Sequence, residues 1–556
     1  MDIFDTVQGH QSSAGHWKIL VDQALVSPDI VRGGFRGEGT ESSPYIVGWA
    51  SGDLRNPRNW SKSYKWILTI NTAIGSLAVS FSSSAYSGGL TTVMEEFDTS
   101  REVAVAGLSL FVLGFALGPL LWAPLSELYG RQWIFFLTFG AFTAFNAGAA
   151  GAQNIETLLL LRFFAGSFGS SPLTNAGGVI ADLFDTRERG LAMSIFCVAP
   201  FLGPVLGPVA GAFLGETKGW RWIEGLLAIY SGACWILGTL GVPETYAPVL
   251  LRRRAAKLSK LTGRVYQTQE DVDRGSLSFS KVFRGSLLRP WVLLFREPIV
   301  LTLSIYLAIV YGILYMLFGA YPIVYQRERG WTAGIAGLPF LAVAIGMLFA
   351  LVYTITVEHP RFLRILDANH GSIPPESRLP GTIVGGIALP IGLFWFAWTN
   401  GPSVPWPASV AAGIPFGFGM VLVFVGVINY LVDSYTIFAA SVMAGNSVLR
   451  SLFGAAFPLF TVQMYEKLGI HWASTLAAFL ALVCLPFPFL FFKHGHRIRA
   501  KCKYAAEAEV FMRMLREEGD TTNAEFSDGQ EKTDTGRAEF SDGTYEDKED
   551  ISMDEP

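Results

Sequence analysis

The feature that most restricts the fold is a succession of long apolar runs with no charge in them. Such runs cover residues 66–94, 103–126, 132–155, 190–215, 298–326, 330–357 and 468–492. About 20 apolar residues carry a helix across the ~30 Å hydrocarbon core of a bilayer, and each run meets that length. The 18-residue stretch 225–242 sits at the lower limit. Residues 379–432 contain no charge at all and are too many for one helix, but the turn-forming segment 400–407 (NGPSVPWP) divides them into two spans. Two further segments qualify if one arginine each is accepted: 157–181 around Arg162 and 434–465 around Arg450. The expectation is therefore twelve spans.

Only 16% of the residues are charged and 51% are hydrophobic, against about 25% charged in soluble domains. That balance argues against a water-soluble enzyme. A net charge of -4, with no basic block interleaved with aromatics, argues against nucleic-acid binding. The four cysteines have no CxxC or metal-ligand spacing, so neither a metal nor any other cofactor is expected.

The connections group the spans six and six. Residues 1–63 form a polar amino-terminal tail, 64–243 a first six-helix bundle, and 244–297 a charged central segment. Residues 298–492 form a second bundle and 493–556 an acidic tail, with 17 Asp/Glu against 5 Lys/Arg from position 504 on. Both termini read as solvated chain with too little apolar area to offset its entropy. The fold class expected is an all-α membrane protein with two pseudo-symmetric six-helix bundles. Such halves place a small-molecule site between them near the bilayer midplane. Loops on the side of the termini hold 17 basic residues and those on the other side six, which puts both termini in the cytoplasm.

Three groups of residues stand out. Residues 118–131 (GPLLWAPLSELYGR) place Glu127 four positions before Arg131, with Gly130 as a turn between two spans. An acid there can face a helix amino terminus, and Arg131 can latch onto an acid on another span, for which Asp182 is the candidate. The alternative is a surface ion pair of little value. Arg162 lies inside a span, where an ionisable side chain by default marks a pathway or relay. Glu224 and Arg450 reach a comparable depth, so the three are expected to form one buried network, unless the arginines snorkel to the headgroups. In the fifth span Gly203, Gly207 and Gly211 recur every four residues alongside Pro200, Pro204 and Pro208. This pattern reads as a close-packed, bent helix at a moving seam.

At these motifs the chain resembles the major facilitator superfamily, and within it the fungal twelve-span drug:proton antiporters. Residues 123–131 (APLSELYGR) are similar to the superfamily's loop signature between spans 2 and 3. Residues 158–169, with Arg162, are similar to the span 4 motif linked to proton transfer. Residues 203–211, including Gly207-Pro208, resemble the antiporter motif of span 5. Residues 56–60 (NPRNW) and 243–251 (PETYAPVLL) resemble the fungal branch. The resemblance implies a monomeric, proton-coupled exporter of an amphipathic drug, toxin or secondary metabolite at the plasma membrane. Alternatives are an uptake permease or polyamine transporter of the same fold, or a membrane sensor that works through its tail.

Overall fold

The computed structural model describes residues 15–26, 30–31, 34–50, 52–274, 279–369 and 373–514. The first six spans are the helices Lys62–Ala85, Arg101–Tyr129, Arg131–Ala150, Ile155–Leu183, Thr186–Lys218 and Trp220–Gly241. Spans 7 to 10 are Pro298–Tyr321, Phe340–Tyr353, Leu379–Thr399 and Gly413–Ser434. The helix Ala439–Cys484 holds spans 11 and 12, because Gly469 breaks it with φ 76° and ψ 164°. Ten of the described helices are long and apolar enough to cross a membrane. The last of these is the pair bent at Gly469, and Ile155–Leu183, made polar by Arg162 and its serines, completes twelve.

Helix starts follow from local chemistry. Ser61, Ser100 and Asn154 accept the N–H of the residue three positions on, as good N-caps do. Three junctions are single glycines: Gly130 between spans 2 and 3, Gly219 between spans 5 and 6, and Gly469. Their φ of 99°, 82° and 76° with ψ near 160–175° lie in a region that is essentially glycine-only. Gly219 and Gly469 hold the same place in the two halves, and this pairing makes the pseudo-repeat visible in the backbone.

Several hydroxyls inside the spans are satisfied locally. Thr69, Thr72, Ser80 and Ser82 of span 1 donate to carbonyls four residues back, which keeps hydroxyls from going unpaired in an apolar medium. The apolar faces turned outward, such as Ile67, Ile70 and Ile74 of span 1 and Ile229, Ile236 and Leu237 of span 6, are exposed. In a bilayer these faces meet lipid.

The amino-terminal segment departs from the expected solvated tail. Its strand β1 (Tyr45–Val47) pairs in parallel with β2 (Tyr266–Thr268) of the central segment. Asp53 and Arg254, both buried, form a bidentate ion pair. Lys257 meets Asp22 at 3.1 Å, and Ile30, Val47, Ala255 and Leu258 make a small apolar core. Low average hydrophobicity hid these few apolar residues, which suffice once a partner helix (Ala247–Thr262) supplies the other side. The carboxyl-terminal side differs too: residues 503–514 are helical, with Ala505 and Ala508 buried. The N–H of Tyr504 binds Glu297 Oε1 at 3.1 Å. The repeated AEFSDG of the acidic tail lies outside the described residues.

These contacts put the amino-terminal, central and carboxyl-terminal segments on one face of the molecule, here called the terminal face.

Candidate functional site

Three clusters carry the polar chemistry. The first is the joint between spans 2 and 3 on the terminal face. Glu244, fully buried, accepts the N–H of Arg131 at 2.9 Å through Oε1 and that of Gln132 at 3.1 Å through Oε2. It therefore caps the amino terminus of span 3, where the helix dipole favours an anion. A Cβ on Gly130 would lie 2.1 Å from Glu244 Oε2, so only glycine admits the carboxylate. Arg131 donates from Nη1 to Ser126 Oγ (2.5 Å) and Asn175 Oδ1 (3.2 Å). Its Nε lies 3.8 Å from Asp182, and its guanidinium sits 4.9 Å from the Tyr246 ring. The proposed Arg131–Asp182 pairing is thus present, and Thr245 Oγ1 donates to the same carboxylate at 3.3 Å. Glu127 lies near Tyr246, while the acid at the helix start is Glu244. Arg55 Nη1 reaches the Glu244 carbonyl at 3.1 Å. Burial pushes the Arg55 guanidinium down to about 10, against the upward pull of Glu244.

The second cluster is a buried ion pair. Arg162 Nη1 and Glu224 Oε1 are 2.6 Å apart with almost no solvent exposure on either side chain. Arg162 Nε donates to the Gly107 carbonyl at 3.0 Å and Nη2 to that of Ser82 at 3.2 Å. The rings of Tyr86 and Phe111 flank the guanidinium at 4.3 and 4.8 Å. The arginine is therefore locked among spans 1, 2, 4 and 6 rather than snorkelling. Glu224 Oε2 has no hydrogen-bond partner among the described residues.

Arg450 does not join that pair, which corrects the expected three-residue network. It lies in the seam between the halves, 4.9 Å from the Tyr311 ring and 5.8 Å from that of Phe424. Depth along a helix was legible in sequence, but the azimuth that decides which neighbour a side chain meets was not. Around it, Phe201 of span 5 packs on Phe424 at 4.4 Å. Tyr311 OH donates to Tyr315 OH at 3.2 Å, and Tyr315 OH pairs with Ser83 Oγ of span 1 at 2.7 Å. Ser82, which holds Arg162, and Ser83 are adjacent, so a short run of contacts links the ion pair to the seam.

The glycines of span 5 have a different neighbour from the one expected. A Cβ on Gly203 would lie 2.1 Å from Ser80 Oγ, one on Gly207 2.1 Å from Ser84 Oγ, and one on Gly211 2.0 Å from the Ala85 carbonyl. The stripe, with Pro208 beside it, packs on small residues of span 1 within the same half. The seam is made by other faces of span 5. The Gly334 N–H, from the short helix before span 8, binds Glu216 Oε2 at 2.6 Å.

The halves also touch through spans 2 and 11. Gln463 Nε2 is 3.2 Å from Glu102 Oε1 on the face away from the termini. Ala116 and Leu120 pack with Ala444 and Val448 towards the terminal face. Among the described residues, contacts therefore join the halves on both sides of the midplane. A cavity of about 50 Å³ lies between the halves, bordered by Ser194, Glu358, Arg378 and Asn429. A larger one of about 460 Å³, among spans 1, 3 and 6, lies outside the seam and contains no charged lining residue.

The sequence matches the family model of the Major Facilitator Superfamily over residues 72–458. The chain belongs to the major facilitator superfamily. It is 61% identical to the MFS-type efflux pump MFS2 of Trichophyton rubrum, over 90% of this chain and 84% of that protein. It is 58% identical to the major facilitator superfamily multidrug transporter mdrA of Aspergillus fumigatus, over 90% and 83%. The efflux pump FUB11 of Gibberella moniliformis is 52% identical over 88% and 83%. Among solved structures, the proton:xylose symporter XylE aligns with a TM-score of 0.57 at 16% identity, covering 78% of this chain and 97% of that one. That similarity is one of fold. The protein is thus a multi-pass membrane transporter of the fungal efflux group and not an enzyme.

Sequence reasoning missed three residues of the joint around Arg131: Glu244, Asn175 and Gly178. A Cβ on Gly178 would meet Arg131 Nη2 at 2.4 Å. Glu244 did carry a signal, since it stands in the PETYAP stretch that resembles the fungal branch. Nothing in the sequence tied it to the start of span 3, more than 100 residues earlier.

Proposed function

We propose that this transporter exports an amphipathic small molecule across the plasma membrane in exchange for protons, as a monomer working by alternating access. The Arg162–Glu224 pair carries the reading. A proton arriving at Glu224 competes with Arg162 for the carboxylate. Neutral Glu224 leaves the guanidinium to its carbonyls and rings, and breaking a buried pair on one side costs about 3–5 kcal/mol. That strain falls on Ser82 of span 1, the helix whose next residue, Ser83, touches span 7 across the seam. Protonation thereby biases how the halves meet. Each proton moving down 100 mV adds roughly 2.3 kcal/mol to drive the cycle.

The basic loops support a cytoplasmic terminal face. In this reading the amino-terminal tail, central segment and acidic tail are cytoplasmic, and the Arg131–Asp182–Glu244 joint latches that side. The two bundles, 64–243 and 298–492, rock against each other. Three relatives named as efflux or multidrug transporters support export over uptake.

The test uses everted plasma-membrane vesicles with an acid interior and two dyes, cationic rhodamine 6G and anionic carboxyfluorescein. Dye accumulation should require the proton gradient, vanish with a protonophore, and fall at least tenfold in Arg162→Ala and Glu224→Gln. Accumulation at the wild-type rate in both variants, or without a gradient, would sink proton coupling.

A further inference from the structure

Arg450 is the one ionisable residue of span 11 that the sequence singled out and the proton pair does not use. An arginine inside a span is costly unless its charge is met. Arg162 shows how this protein meets one: a carboxylate at 2.6 Å, two carbonyls and two rings. Arg450 is equipped differently. Among the described residues no carboxylate lies within ion-pair range of it, its Nε is buried without a hydrogen-bond partner, and its neighbours are the Tyr311 and Phe424 rings. Ring faces attract a cation but accept no strong hydrogen bond from a guanidinium fork. The fork keeps paired N–H donors of the geometry that fits a carboxylate.

Position adds a second, independent observation. The two rings beside Arg450, Tyr311 and Phe424, belong to the second half, and Phe201 of the first half packs on Phe424 at a tilt of 50°. Tyr315 bridges to Ser83 of the first half. A molecule held here would touch both bundles. Parting them would expose an aromatic slot with one cationic fork at its wall.

We propose that Arg450 is the substrate-recognition residue of the central site, and that the preferred cargo is an amphipathic organic acid. Its carboxylate binds the Arg450 guanidinium while its aromatic or alicyclic body lies against Tyr311, Phe201 and Phe424. The inference rests on the transport reading only in placing the cargo between the halves. It is independent of the direction of transport and of protons.

The experiment measures equilibrium binding to the purified full-length protein in detergent at pH 7, from quenching of intrinsic tryptophan fluorescence. The probes are four matched pairs of acid and primary amide: 4-phenylbutyric, 2-naphthylacetic, indole-3-acetic and cyclohexylbutyric acids and their amides. Wild type should bind at least one acid tenfold or more tighter than its amide. In Arg450→Gln that ratio should fall to near one with amide affinity retained, and Arg450→Lys should keep part of the preference. Retained amide affinity also shows that the variant is folded. The proposal is overturned if no pair shows an acid preference in wild type, or if Arg450→Gln keeps it. Gly225→Ala, whose added Cβ meets nothing within 4 Å, serves as the control and should retain the acid:amide ratio. Binding is measured without a proton gradient, so loss of gradient-driven transport in Arg162→Ala bears on proton coupling and leaves the present inference intact.

Discussion

Glu244 does two jobs with its carboxylate and a third with its backbone carbonyl. It caps span 3 through the N–H groups of Arg131 and Gln132, accepts from the N–H groups of Thr245 and Tyr246, and leaves its own carbonyl to Arg55. Removing it uncovers four backbone donors and takes away the nearby negative charge that helps keep buried Arg55 protonated. The capping loss alone is worth about 0.5–2 kcal/mol, and each buried donor left unmet adds about 1–3 kcal/mol. Glu244→Ala should therefore lower the thermal unfolding midpoint in detergent by several degrees, read from tryptophan fluorescence. Glu244→Gln, which keeps an acceptor, should lose less. An unchanged midpoint in Glu244→Ala would show that the joint does not depend on this cap. None of this was legible locally. Arg131 and Asp182 could be paired from their placement at neighbouring helix ends, whereas Glu244 returns from the far end of span 6.

At the scale of helices, small residues decide which pairs come close. Spans 1 and 5 approach until a Cβ at Gly207 would sit 2.1 Å from Ser84 Oγ and 2.8 Å from the Ala85 nitrogen. Backbone stands behind the hydroxyl, so a larger side chain must push the helices apart. Gly207→Val should abolish transport and reduce the monodisperse peak in size-exclusion chromatography. Gly225→Ala in span 6 is the opposite case, because nothing lies within 4 Å of its added Cβ. That substitution should be neutral or stabilising by up to about 1 kcal/mol, since alanine is the better helix former. Equal behaviour of the two variants would contradict the packing described. The four-residue glycine period announced a close partner for span 5. That the partner is span 1, in the same half, depended on which way the stripe faced.

Across the whole molecule, the halves touch on the face away from the termini, at the midplane and towards the terminal face. Alternating access requires the contacts at one end to part while those at the other persist. The Glu102–Gln463 pair offers a handle at the first of these places, where Glu102 is exposed, Gln463 is half-buried and the two side chains are 3.2 Å apart. Glu102→Cys with Gln463→Cys, bridged by a short reducible thiol cross-linker, should stop transport, and reductant should restore it. The four native cysteines are all buried, which limits competing reaction. Undiminished transport in the bridged protein would mean that spans 2 and 11 need not separate there.

Span number, the six-and-six division and the presence of ionisable groups within the membrane all followed from the order of residues. Hydrophobic runs need only the bilayer's thickness to be read, and a charge inside one is visible wherever it points. Most contacts among helices followed from tertiary packing. Each helix can rotate about its axis without changing its sequence pattern, so only assembly determined that Arg450, expected beside Arg162 and Glu224, instead lies against Tyr311 and Phe424. The same holds for the amino-terminal segment, whose few apolar residues stay silent in composition until a strand and helix from the central segment complete their core.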